Sequence, residues 1–118
     1  GHNPAAGRAI AATLTTLPKR ETHIICGMLN TKDVKGFLAP IATQCASLTT
    51  VTIPNEINAV PSADLAELGR SCAIASREAR DVQAALQDLS QRHPRARILI
   101  CGSLYLAGHV MRENDPDA

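Results

Sequence analysis

The sequence predicts an α/β fold: a mostly parallel, Rossmann-like sheet with helices on both faces. Three observations predict it. Short apolar runs rich in β-branched residues, Ile24-Ile25-Cys26 and Ile98-Leu99-Ile100-Cys101, read as strands buried on both faces. Amphipathic stretches of helical period, at 4–17, 32–44 and 81–92, alternate with such runs. At 96–114 an apolar run passes through Gly102 straight into a good N-cap, Ser103, which is the core of a strand–turn–helix unit. That unit sets Ser103 at the carboxyl edge of a parallel sheet, where open α/β folds bind ligands.

Taken in order, the chain starts with Asn3 as a favoured N-cap and Pro4 at the first helical position. Ala6, Ile10, Leu14 and Leu17 then make one helical stripe up to Pro18. A helix this close to Gly1 carries the expectation that the first strand of the α/β unit is missing. Residues 23–29 form the next strand, stopped by the turn residues Asn30-Thr31. The following helix, 32–44, packs Val34, Phe37, Leu38 and Ile41, and Pro40 should kink or divide it by removing a helical N–H.

Residues 48–53 read as a Thr-rich strand stopped by Pro54, with a loop over 55–61. Ser62 is placed to cap a short helix over 63–72, with Asp64 and Glu67 near its positive end. Residues 72–75 are expected as a short fourth strand. The helix over 81–92 repeats Val82, Ala85, Leu86 and Leu89 at helical spacing and ends at His93-Pro94. After the run 98–101 and Gly102, a last helix is expected to carry Leu104, Leu106, Ala107, Val110 and Met111, leaving 114–118 as a frayed tail.

Composition bounds the function. The 118 residues suit one domain, and 45% hydrophobic with 19% charged residues is too apolar for disorder. Twelve Lys and Arg offset eleven Asp and Glu, and both signs occur in each half, so no basic face announces nucleic acid or an anionic membrane. Phe37 and Tyr105 are the only aromatics, too few to stack on bases, and the core must be Ala, Leu, Ile and Val.

Cys26, Cys45, Cys72 and Cys101 include no C-x-x-C pair and read as reduced, structural thiols of a cytoplasmic protein. His2, His23, His93 and His109 show no ligand spacing, so no metal site is expected. No signal peptide or membrane-length apolar run occurs. Neither a G-x-x-x-x-G-K-[ST] phosphate loop nor a G-x-G-x-x-G fingerprint is present, and Gly102 and Gly108 are wrongly spaced for either. The fold class alone therefore does not imply nucleotide binding.

Three motifs go further: Gly1-His2-Asn3-Pro4-Ala5-Ala6-Gly7, Gly27-Met28-Leu29-x-x-Lys32-Asp33, and Cys101-Gly102-Ser103-Leu104-Tyr105-Leu106-Ala107-Gly108. In this order and spacing they resemble the C-terminal domain of the bacterial folate ligases, folylpolyglutamate synthase and dihydrofolate synthase, within the Mur ligase superfamily. The resemblance covers essentially the whole chain. It implies a Mur ligase C-terminal domain at 1–118 and a separate N-terminal ATP-binding domain outside this sequence. An aspartate that the family places just before its His-Asn-Pro motif would also precede Gly1.

By resemblance, the intact enzyme phosphorylates a folate carboxylate with ATP and magnesium, and the amino group of glutamate then attacks the acyl phosphate. The N-terminal domain carries the phosphate loop and the metal ligands, while the C-terminal domain closes over the cleft and helps hold glutamate and ATP. Closure of this kind aligns reactants and excludes water from a hydrolysable intermediate. The 118-residue piece alone is expected to be inactive and to hold no catalytic residue, metal or cofactor. Its expected partners are its own N-terminal domain, glutamate and folate.

His2 matches the family histidine that faces the incoming glutamate, and it stands beside a helix start that favours anions. Ser103 matches a serine that contacts glutamate, with simple helix capping as its other reading. Asn3, Lys32, Asp33 and Tyr105 are further cleft-facing candidates. Their bland readings are a cap for Asn3, first-turn surface charges for Lys32 and Asp33, and rim packing for Tyr105. Arg92-His93-Pro94-Arg95-Ala96-Arg97 reads as a solvated turn. Two alternatives stand beside the folate ligase: the same domain of another Mur-type amino-acid ligase, and a free-standing α/β binding module.

Overall fold

The computed structural model describes residues 4–30 and 33–102, and 110–113 by backbone. The order of elements is α1 (Pro4–Thr16), β1 (Thr22–Gly27), α2 (Val34–Ile41), β2 (Ser47–Thr50), α3 (Ser62–Ser71), β3 (Ser76–Glu78), α4 (Val82–Arg92), β4 (Arg97–Gly102) and β5 (Val110–Glu113). The strands form one sheet in the order β3-β2-β1-β4-β5. Four are parallel, and β5 adds antiparallel to β4 at the edge.

The apolar runs become the central strands because each face of the sheet receives its own helices. Ile24, Cys26, Leu48, Leu99 and Cys101 point to one face and pack with Ile10 and Leu14 of α1, Phe37, Leu38 and Ile41 of α2, and Leu65 of α3. Ile25, Ile98 and Ile100 point to the other, against Ala85 and Leu89 of α4. Every residue of β1 and β4 is buried, as a strand covered on both faces requires. The expected mostly parallel sheet with helices on both faces is therefore the fold.

Local chemistry accounts for the helix ends. Asp81 caps α4, its carboxylate accepting from the Ala84 N–H at 2.7 Å. Pro40 divides the second helix as expected: α2 stops at Ile41, and Ala42–Gln44 continues as a 3₁₀ turn. Ser62 does not cap α3, because Pro61 occupies that position and makes no side-chain cap. The Ser62 hydroxyl instead donates to Glu78 at 2.7 Å.

Two expected elements are corrected. Residues 72–75 are not a strand. Cys72 ends α3, Ala73 takes the left-handed conformation at φ 64°, and the strand begins only at Ser76. Ala73 N–H donates to Arg70 and Ile74 N–H reaches back to Gly69, the double bond of a Schellman cap.

The last helix does not extend over Val110 and Met111. They lie in β5, in register with Ile100 and Leu99 of β4. The open edge of β4 offers a ladder of backbone partners, and that tertiary pairing outweighs the helical spacing. The remainder of the expected helix lies outside the described residues.

Candidate functional site

Strand order reverses between β1 and β4. From β1 the chain moves outward through α2, β2, α3 and β3; α4 then crosses the opposite face and returns it to β4, directly beside β1. The two strands run parallel and in register to their carboxyl ends, where Cys26 pairs with Cys101 and Gly27 with Gly102. This is the topological switch point of an open α/β sheet, outside which ligands bind.

Gly102 holds φ at +90°, and a Cβ there would collide with the carbonyl oxygen of Gly27. The glycine pair thus lets two strand ends approach more closely than side chains permit. Beneath it lie the Cys26 and Met28 sulfurs. The Cys101 thiol is pushed well above the ordinary range, first by its hydrogen bond with Cys26 and then by burial. Burial alone pushes Cys45 up to about 11. Neither thiol is poised as a nucleophile.

One wall of the crevice is built from the segment after β1. Asn30 N–H donates to Asn58 at 2.7 Å and Val60 N–H to Met28 at 2.9 Å, and Leu29 bridges Ala59, so the loop after β2 clamps the β1 exit. Asp33 then caps α2, its carboxylate accepting from Gly36 N–H at 3.0 Å. The start of α1 packs on this same turn. A Cβ on Gly36 would stand 2.7 Å from Pro4 Cγ, and one on Gly7 would collide with the Phe37 carbonyl.

The amino ends of α1 and α2 therefore converge at the carboxyl edge of the sheet. The positive ends of two helix dipoles favour a carboxylate or phosphate there. Magnesium demands an octahedral set of oxygens. The Asp33 carboxylate beside the crevice caps a helix, and its cap bond occupies one oxygen. These residues do not fit a magnesium site.

Of the site residues named from the sequence, Asp33 is described, and it caps a helix. His2, Asn3, Lys32, Ser103 and Tyr105 lie outside the described residues. Pro4, which follows Asn3, stands beside Asp33, and Gly102, which precedes Ser103, ends β4 at the switch point.

The family model for "Mur ligase, glutamate ligase domain" matches residues 1–104. The chain belongs to that family. The match includes His2, Asn3, Lys32, Asp33 and Ser103 and ends one residue before Tyr105. No curated protein sequence matches the chain.

Solved structures share the fold of this Mur ligase domain. A bifunctional folylpolyglutamate synthase/dihydrofolate synthase from Yersinia pestis, complexed with AMPPNP and a manganese ion, aligns at a TM-score of 0.74 and 25% identity. The alignment covers 88% of this chain and 24% of that one. Escherichia coli FolC in complex with DHPP and ADP aligns at 0.72 and 23% identity, over 88% and 24% of the two chains. Mycobacterium tuberculosis folylpolyglutamate synthase complexed with ADP aligns at 0.71 and 24%, over 78% and 21%. The chain thus spans about a quarter of the length of these proteins.

The described residues contain no helix long and apolar enough to cross a membrane. At the amino edge of the sheet, opposite the crevice, lies a second polar cluster of Glu21, His23 and His93. Sequence spacing gave no sign of it, because seventy positions separate the two histidines.

Proposed function

We propose that this Mur ligase domain is the C-terminal part of an ATP-dependent ligase that adds L-glutamate to a folate acceptor. The observation that carries the reading is the switch-point crevice: two glycine-ended strands flanked by two helix amino ends, in a member of the glutamate ligase domain family. Backbone N–H groups and positive helix ends suit the carboxylates of glutamate and the phosphates of a nucleotide. The fold likeness to folylpolyglutamate and dihydrofolate synthases supports folate over other acceptors.

In this reading an N-terminal domain supplies the phosphate loop and the metal ligands. A metal ion held by that domain would offset phosphate charge on the nucleotide. The present domain orients glutamate so that its amino group meets the activated carbonyl, and it excludes water on closing. His2 and Ser103 hold glutamate, with Asn3, Lys32 and Tyr105 at the rim and Asp33 fixing the α2 amino end. The free thiols of Cys26, Cys45, Cys72 and Cys101 suit a reducing cytoplasm.

The test is ATP-dependent incorporation of labelled glutamate into dihydropteroate and tetrahydrofolate by the protein carrying this domain together with its ATP-binding domain. Incorporation into either acceptor is expected. Incorporation confined to a cell-wall precursor would move the assignment to another Mur-type ligase. A folded protein that transfers no amino acid to any of these acceptors would overturn the ligase reading and leave a binding module.

A further inference from the structure

The amino edge of the sheet gathers three side chains that the crevice does not use. His23, on β1, is almost wholly buried, and its Nδ1 lies 2.6 Å from the Ser47 hydroxyl. Its Nε2 lies 3.0 Å from Glu21 Oε2. His93 at the end of α4 brings its Nδ1 to 3.5 Å from the same oxygen. All three ligand atoms fall within 4.8 Å of one another. An open cavity of about 370 Å³, lined by Glu21, His93, Pro94, Arg95 and Ala96, leads to them.

We propose that Glu21, His23 and His93 bind one divalent transition-metal ion of the zinc class. Two imidazoles and a carboxylate with an open fourth position form a recognised zinc donor set. Ligands about 2.0–2.1 Å from a tetrahedral ion stand roughly 3.3 Å apart, and the 3.0 Å contact from Glu21 Oε2 to His23 Nε2 lies near that edge.

Ser47 supplies the outer contact that ligating histidines need. Its hydroxyl lies 2.6 Å from Nδ1, and by accepting from Nδ1–H in the metal-bound form it would leave Nε2 for the ion.

One movement is required. The two rings are stacked, with centroids 4.0 Å apart and planes at 22°, so their lone pairs do not meet at one point. His93 must turn about its side-chain bonds out of the stack. Its side chain is 29% exposed, it follows the last residue of α4, and it walls the cavity. Arg95 on the same wall opposes a bare cation and favours an anionic fourth ligand.

The experiment is a Zn²⁺ titration of the full chain by calorimetry, with the histidine ring signals followed by NMR and the fold checked by circular dichroism. One equivalent should saturate the protein and shift the His23 and His93 signals together. Glu21→Gln and His93→Ala, both at accessible positions, should each weaken binding at least tenfold while the fold is retained. Saturable binding unchanged in both variants would place the ion elsewhere and overturn the proposal. Absence of saturable binding at micromolar Zn²⁺ would overturn it as well. His23→Ala is avoided because it removes a buried, hydrogen-bonded side chain.

Discussion

Gly102 and Gly27 end two adjacent parallel strands so closely that a methyl group on Gly102 would occupy the space of the Gly27 carbonyl oxygen. The contact sits at the switch point, so it joins a tight backbone approach to the mouth of the candidate crevice. Gly102→Ala should therefore be costly twice over. Its φ of +90° is unfavourable for any residue with a Cβ, by about 1–2 kcal/mol. Overpacking against fixed backbone adds about 1–3 kcal/mol. Equilibrium urea unfolding should show a loss of about 2–5 kcal/mol. A variant within 0.5 kcal/mol of the parent would mean that the strand ends can part freely.

Ala73 presents the opposite case, an L-residue where glycine belongs. It occupies the left-handed position of the Schellman cap that ends α3, at φ 64°. Ala73→Gly relieves the Cβ contact and should stabilise the chain by about 0.5–1 kcal/mol, less than the full steric cost because glycine also frees the unfolded chain. A higher midpoint in urea checks the prediction. A lower midpoint would show that the Ala73 methyl gains more from packing than it loses to the backbone.

The same residue shows where sequence reading stops. Cys72-Ala73-Ile74-Ala75 has a strand's composition, yet the helix-ending turn consumes it, and the strand falls on Ser76-Arg77-Glu78. That polar, largely exposed triplet at a sheet edge has no apolar run to reveal it, and its charges discourage pairing with another chain. β1 and β4 were legible because burial on both faces demands continuous apolar residues. Val110 and Met111 were misplaced because their spacing fits a helix, while the edge of β4 that claims them is a tertiary fact. The crevice was legible as a strand–turn pattern at Gly102. Its second half, the docking of Pro4 against the α2 cap, depends on helix–helix packing that no local motif encodes.

Asp33 separates capping from ligand contact. Its carboxylate accepts from Gly36 N–H at 3.0 Å, so Asp33→Ala should cost about 1 kcal/mol in urea unfolding. Asp33→Asn keeps an acceptor at the same place and should restore most of that stability. In the intact ligase Asp33→Asn should also leave glutamate and ATP kinetics close to the parent. A selective rise in either KM with Asn, at unchanged stability, would instead put the Asp33 charge on a ligand.

Ser103 carries the sharpest functional prediction. It directly follows Gly102, which ends β4 at the switch point, and the proposed function assigns its hydroxyl to the incoming glutamate. A hydrogen bond to a charged carboxylate contributes about 1.5–3 kcal/mol, so Ser103→Ala in the intact enzyme should raise KM for glutamate roughly tenfold or more. KM for ATP should change far less, because the proposed function gives the nucleotide phosphates mainly to the other domain. His2→Ala should show the same selectivity for glutamate. If both variants keep parental glutamate kinetics while ATP binding weakens, the crevice serves the nucleotide alone, and glutamate must be held by the N-terminal domain.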